Sequence, residues 1–229
     1  MTIDAVLFDF SGTLFRLEED ETWYGDLTWP DGRAFDVHEK AEIMRRMTAP
    51  VGQIVGFDAE KQYAWDNRDL DPVLHRVAML EVLRKSGVPT DEDAERLYAR
   101  LVDPMQWTPY PDTVTVLELL AAQGVPVAVV SNIPFDIRPS FAARGWDRSI
   151  QAFTLSYEVG AMKPDPAIFR SALDELGVPA GATLMVGDSA EADGGATALG
   201  CRFAQVEPLP ITERPEALLA ALRGHGLAE

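Results

Sequence analysis

Four stretches of the chain carry side chains that fit one another chemically: Asp9, Ser131-Asn132, Lys163, and Asp188 with Asp193. The first lies in AVLFDFSGTL, residues 5–14, where the apolar run Ala5-Val6-Leu7-Phe8 meets Asp9 and then Ser11 and Gly12. A short apolar run bounded by a turn signal reads as a buried strand. Asp9 is therefore expected at the carboxyl end of the first strand, where open α/β sheets place their ligand sites. Gly12 lets the backbone leave the strand sharply and approach a ligand closely. Alone, Asp9 reads equally well as a helix cap. Two later runs end in the same way, however: Pro126–Val130 in Ser131-Asn132, and Thr183–Val186 in Gly187-Asp188, with Asp193 following. Lys163 falls in the loop after another short run, Ala152–Ser156. Separated carboxylates, one lysine and a small hydroxyl group at one sheet edge are hard to explain as caps. Oxygen-only ligands suit Mg²⁺, which takes a few carboxylates plus substrate oxygens and water. A lysine beside a backbone amide suits the peripheral oxygens of a phosphoryl group.

The elements that must position these residues follow from the same pattern. From Pro111 onward strands alternate with helices: Asp112 to Gly124, Phe135–Arg144, a helix opened by Asp165-Pro166 and closed by Gly177, a glycine-rich helix ending at Gly200, the strand Arg202–Val206 and a last helix Thr212–Leu222. Such alternation means parallel pairing through right-handed crossovers. The fold class is thus α/β, a Rossmann-like three-layer core around a parallel sheet to which the first strand also belongs.

Between them the texture differs. Arg16–Phe35 holds the acidic cluster Glu18, Glu19, Asp20 and Glu21 and the turn Pro30-Asp31-Gly32, with no sustained period, and reads as an extended flap or hairpin. Helices are expected over Asp36–Met47, over Asp58–Asn67, from Asp71-Pro72 with Val73, Val77, Leu80 and Leu83 on one face, and from Thr90 with Ala94, Leu97, Tyr98 and Leu101 inside. The expected division is a core of residues 1–15 and 104–229, with an all-helical cap, residues 16–103, inserted. Trp23, Trp29, Trp65 and Trp107 are expected in the core of this cap, with a pocket lining as the alternative.

The totals set bounds on partners. With 229 residues the chain can bury one good core and a smaller second unit. A formal net charge of -17 argues against nucleic acid and anionic membrane, both of which need a basic face. An anionic small substrate stays open where a metal or a lysine reverses the sign locally. Cys201 is the sole cysteine, so no internal disulfide forms, and His38, His75 and His225 are too scattered to suggest a metal site. No stretch is long and apolar enough to span a bilayer, and the N-terminus lacks a basic region leading into a long apolar run. A cytoplasmic location is expected; the oligomeric state is unreadable.

The stretches LFDFSGTLF (7–15), VAVVSNI (127–133), GAMKPDPAIF (160–169) and VGDSAEADGGATALG (186–200) resemble, in that order, the motifs of the haloacid dehalogenase-like hydrolase superfamily with a helical cap. The resemblance covers the α/β unit; the cap resembles the family only in position and helical character. It implies that Asp9 is a nucleophile forming an aspartyl-phosphate. It further implies Mg²⁺ held by the Asp9 carboxylate, the Ser11 carbonyl and Asp188, with Asp193 a ligand or a support. Ser131, the Asn132 amide and Lys163 would hold the phosphoryl oxygens of a small phosphorylated substrate, Gly12 letting the backbone come close.

One position departs from the pattern. Family phosphatases usually carry a second aspartate two residues after the nucleophile, which protonates the leaving oxygen. Here that residue is Ser11, whose hydroxyl has no useful acidity near neutral pH. General acid–base help is worth ~10²–10⁴-fold, so the implied activity is a phosphatase with a substitute acid from the flap or the cap, such as Glu18, Glu19 or Asp20. The alternatives are a phosphonatase-type hydrolase using Lys40, Lys61 or Lys85, a 2-haloacid dehalogenase, or a weakly active or non-hydrolytic member that binds a phosphorylated ligand or a protein partner.

Overall fold

A computed structural model of the chain describes residues 2–18, 22–24, 27–29, 31–48, 53 and 55–228. In chain order the elements are β1 (Ala5–Phe8), β2 (Phe15–Leu17), α1 (Val37–Thr48), α2 (Ala59–Asp66), α3 (Pro72–Lys85), α4 (Asp91–Leu101), β3 (Trp107–Pro109) and α5 (Thr113–Ala122). Then follow β4 (Val127–Ser131), α6 (Arg138–Ala142), β5 (Ala152–Leu155), α7 (Ser156–Val159), α8 (Pro166–Leu176), β6 (Thr183–Gly187), β7 (Arg202–Gln205) and α9 (Ala217–Arg223).

The sheet runs β5-β4-β1-β6-β7, with every neighbouring pair parallel. β1 is the middle strand, and all four of its residues are fully buried, as a parallel strand covered on both faces requires. Its side chains alternate between two cores. Val6 and Phe8 join Val127, Val129, Leu184 and Val186 under α5 and α9. Leu7 joins Ala128, Val130 and Met185 under Ile168, Phe169 and Ala172 of α8. Phe8 pairs with Val129 on one side and Val186 on the other, so the chain leaves β4, β1 and β6 at adjacent points of one edge. These are the strands ahead of Ser131-Asn132, Asp9 and Asp188.

The chain passes into the inserted helices through β2 and returns through β3. These pair antiparallel as a two-stranded ribbon, with Phe15 opposite Pro109 and Leu17 opposite Trp107. The expected helix starts are found. Asp71 caps α3 through the Val73 amide at 2.6 Å with Pro72 at the first position, and Thr90 caps α4 through Asp93 at 3.1 Å. In α4, Ala94, Leu97, Tyr98 and Leu101 are buried as expected.

Several expectations need correction. α3 is rotated from its expected face: Val73 is 68% exposed, while His75, Ala78, Met79 and Val82 go inside together with Leu80 and Leu83. Three helices, α1, α2 and α4, pack around α3, so its buried face is wider than a single stripe. The glycine-rich stretch Asp193–Leu199 is a 3₁₀ helix. There Gly195 lies against Pro164 and a Cβ would come within 2.7 Å of it. Only Arg138–Ala142 of the segment expected from Phe135 is helical, and the last helix begins at Ala217 after a 3₁₀ turn at Ile211–Glu213. Asp112 does stand at the start of α5 as expected, but its side chain makes no cap bond there. Its Oδ2 accepts the Leu218 and Leu219 amides of α9 at 2.8 and 3.1 Å.

Candidate active site

Asp9 follows β1 directly, is 4% exposed and donates its amide to the Val186 carbonyl at 3.0 Å, which ties it to β6. The chain then turns through Gly12 at φ +77°, and a Cβ there would lie 2.5 Å from Asp188 Oδ2. Glycine is required on both counts. Lys163 is the electrostatic centre. Its buried ammonium donates to Asp9 Oδ1 and Asp193 Oδ1, each at 2.6 Å. The Lys163 backbone is fixed by Asn132, whose side-chain oxygen accepts the Lys163 amide at 2.7 Å and whose nitrogen donates to the Lys163 carbonyl at 2.9 Å. Asn132 thereby places the lysine. The other Asp193 oxygen accepts the Ser189 amide at 2.9 Å, and Asp193 packs on Gly187 so tightly that a Cβ there would sit 2.2 Å away.

One lysine among three carboxylates leaves the cluster negative. Asp9 is pushed up to about 7, by burial first and by the charges of Asp193 and Asp188, against the pull of Lys163. Asp188 is pushed up to about 6 by burial and by Asp193. Burial works to lower Lys163, but Asp193 and Asp9 overcome it and hold the ammonium above its ordinary range. Asp9, Asp188 and Asp193 offer oxygens within 4.8 Å of one another. An all-carboxylate donor set whose negative charge the lysine only partly offsets fits a hard cation, so these residues can hold a metal ion.

The cluster forms the floor of a cavity of about 380 Å³. Asp9, Ser11, Ser131, Asn132, Lys163, Asp188 and Asp193 all line it, while Gly12 lines an adjoining one of about 310 Å³ together with Ser11 and Asp188. The opposite wall comes from the inserted helices and their turns, including Arg46, Trp65, Arg68, Asp69, His75 and Met79. Trp65 and Trp107 are thus both buried and cavity-lining, whereas Trp29 stacks on Phe35 at 4.7 Å. Lys40, Lys61 and Lys85 are not among the lining residues. Of the expected substitute acids, Glu18 is turned away, accepting the Ile211 amide at 3.1 Å and pairing with Arg16 at 2.9 Å. Glu19 and Asp20 lie outside the described residues.

Two residues were not anticipated. Arg214, 3% exposed, donates to the carbonyls of Gly12 (2.6 Å) and Thr13 and lies 3.3 Å from the Tyr110 ring centre. It clamps the loop that follows the nucleophile candidate. Asp69 enters the cavity from the turn between α2 and α3. Neither has a sequence signal: one sits in a proline-flanked surface-like stretch, the other in a polar turn.

A family model for haloacid dehalogenase-like hydrolases matches residues 3–199. The phosphoglycolate phosphatase of Pectobacterium atrosepticum is 30% identical over 188 residues, which cover 77% of this chain and 80% of that one. The haloacid dehalogenase-like hydrolase domain-containing protein 3 of Danio rerio is 36% identical over 100 residues, 43% of this chain but only 40% of that protein's length. Among solved structures, the L-2-haloacid dehalogenase of Xanthobacter autotrophicus aligns with a TM-score of 0.65 at 24% identity, covering 96% of this chain and 83% of that one. That last likeness is one of fold.

Proposed function

The chain belongs to the haloacid dehalogenase-like hydrolase family, and on that premise we propose that it is a Mg²⁺-dependent phosphatase acting on a small phosphorylated metabolite through an aspartyl-phosphate. The observation that carries this reading is Lys163 bridging Asp9 and Asp193 at the floor of a cavity into which Asp188 also opens. The phosphatase relative supports it.

In this reading the Asp9 carboxylate is the nucleophile. Ser131, the Asn132 backbone amide, the Gly12 loop and Lys163 hold the phosphoryl oxygens, and Lys163 also restrains Asp9 in position for attack. Mg²⁺, held by Asp9, the Ser11 carbonyl and Asp188, would supply the charge that lets a phosphate dianion come near carboxylates. Asp193 has both oxygens engaged and serves first to hold Lys163 and the loop at Ser189. A phosphonatase-type reaction is disfavoured because none of the candidate lysines of the insertion lines the cavity. A metal-free dehalogenase has no use for a third clustered carboxylate. A non-hydrolytic member remains the second reading, and Ser11 is the residue that favours it.

The test is release of inorganic phosphate from 4-nitrophenyl phosphate and from a panel of phosphorylated metabolites. Activity is expected with Mg²⁺, lost in excess chelator, and reduced to background in Asp9→Asn, which is nearly isosteric and keeps the circular dichroism spectrum. Substantial turnover by pure Asp9→Asn would sink the covalent mechanism. Failure of the wild type on every ester would favour the binding-protein reading.

A further inference from the structure

The cavity holds two carboxylates for which the proposed reaction has no task, Asp69 and Glu191. Glu191 is exposed to solvent. Asp69 is partly buried, its side chain 17% accessible, and it lines the same cavity as Asp9 and Lys163 from the turn between α2 and α3. The backbone that carries it is fastened to the core. The Ser156 hydroxyl donates to the Asp69 carbonyl and accepts the Ile133 amide at 2.9 Å. Ile133 comes directly after Ser131-Asn132, so the turn bearing Asp69 is held against the loop that would bind the phosphoryl group.

The Asp69 carboxyl is held as an anion by one long ion pair and by no hydrogen bond among the described residues. One Arg68 nitrogen pairs with it at 3.7 Å, while another donates to the Trp65 carbonyl at 2.8 Å and the guanidinium lies 4.0 Å from the Trp65 ring centre. Burial pushes the group up, with Arg68 and Lys163 pulling it back, so the charge of Lys163 is felt across the cavity. A partly buried carboxyl group that accepts no hydrogen bond from the described residues and shares the cavity of the reacting centre is suited to carry a proton.

We infer that Asp69 is the general acid–base of this site, reaching the leaving oxygen from the inserted helices in place of the acid that Ser11 does not supply. The inference rests on the phosphatase reading. An Asp9 oxygen attacks phosphorus, the bond from phosphorus to the ester oxygen breaks with its electron pair on that oxygen, and the Asp69 O–H gives it the proton, releasing an alcohol and leaving Asp69 as carboxylate. In the second half Asp69 takes a proton from the water that attacks phosphorus. The bond from phosphorus to Asp9 then breaks, returning Asp9 as carboxylate and releasing inorganic phosphate.

The experiment compares two esters of similar shape, 4-nitrophenyl phosphate, whose leaving group hardly needs a proton, and phenyl phosphate, whose leaving group does. With Mg²⁺ present, Asp69→Asn should lower kcat/KM for phenyl phosphate by ~10²-fold or more and for 4-nitrophenyl phosphate by less than about 3-fold. Asp69→Glu should recover part of the phenyl rate. The ratio is read within one sample, so a partly unfolded preparation leaves it unchanged. Asn also keeps the backbone carbonyl that Ser156 uses. Equal losses on both esters, or no loss on either, overturn the assignment while wild-type turnover keeps the phosphatase reading alive. A wild type inert towards both esters overturns the two together.

Discussion

At the scale of single residues the site is organised by charge, and Lys163 is its pivot. Among the described residues it is the one cation paired with Asp9 and Asp193, both buried. Removing one partner of a buried charge cluster typically costs ~3–5 kcal/mol, because the remaining charges are left uncompensated. Lys163→Met should therefore lower the melting temperature of the metal-free protein and abolish turnover. It should also raise the response to Mg²⁺, since a cation entering a more negative cluster gains more; binding to the folded state alone stabilises by RT ln(1 + [L]/Kd). Melting curves with and without Mg²⁺ check this. A smaller Mg²⁺-induced shift in Lys163→Met than in the wild type would show that the carboxylates do not form the cation site. The four chemical stretches were legible because each follows an apolar run whose end can be read directly. Asp69 was not, since a polar turn between two helices carries no mark of what it is folded against. The acidic cluster at Glu18 is the conspicuous candidate for a substitute acid, yet the Glu18 carboxylate accepts the Ile211 amide.

At the scale of elements, the α/β part follows from patterns of length and spacing, while the inserted helices show where such patterns stop. β1 is apolar at all four positions and could only be a covered strand. α3 is nearly apolar around most of its circumference, so spacing alone did not select its inner face, and packing against three helices decided it. The buried face includes His75, which lines the cavity and shares a hydrogen bond of 3.1 Å with the Tyr98 hydroxyl. Burial, with the charge of Arg68, pulls its pKa down from 6.5 to about 3. The unfolded chain therefore binds a proton at this residue below about pH 6.5 that the folded chain refuses until about pH 3. Stability carried by neutral His75 is complete above the unfolded pKa and falls as the pH drops, with a slope of up to about 1.4 kcal/mol per pH unit. Asp9 and Asp188, raised in the folded state, act in the opposite direction, so the comparison has to be made between variants in which they are common. His75→Gln should lose less stability than the wild type between pH 7 and pH 4 in urea titrations. Parallel stability-against-pH curves for the two proteins would show that His75 titrates normally in the folded chain.

At the scale of the whole molecule, segments far apart in the chain are tied together around the site. Residue 214 reaches back to residues 12 and 13, and Asp112, at the chain's return to the core, caps the last helix. The turn at Asp69 is tied to the core through Ser156. Long-range links of this kind leave no periodic trace, which is why the sheet and its strand-end residues could be read from the sequence and these ties could not. Arg214 is the most consequential of them. Burial lowers its pKa, yet its guanidinium satisfies two carbonyls of the loop after Asp9 and covers Tyr110. Hydrogen bonds to a charged group are worth ~1.5–3 kcal/mol each, so Arg214→Met, which keeps much of the side-chain volume, should destabilise the fold by about 2–5 kcal/mol. The freed Gly12–Thr13 loop would shift beside Asp9, lowering kcat for every ester by a similar factor, because misplacement of the nucleophile slows attack whatever the leaving group. The signature is thus the reverse of that expected for Asp69→Asn: a lower melting temperature and lower kcat with the ratio of phenyl to 4-nitrophenyl phosphate rates unchanged. A variant that melts like the wild type, or one that changes the ratio, would show that the clamp on the loop has been given the wrong role.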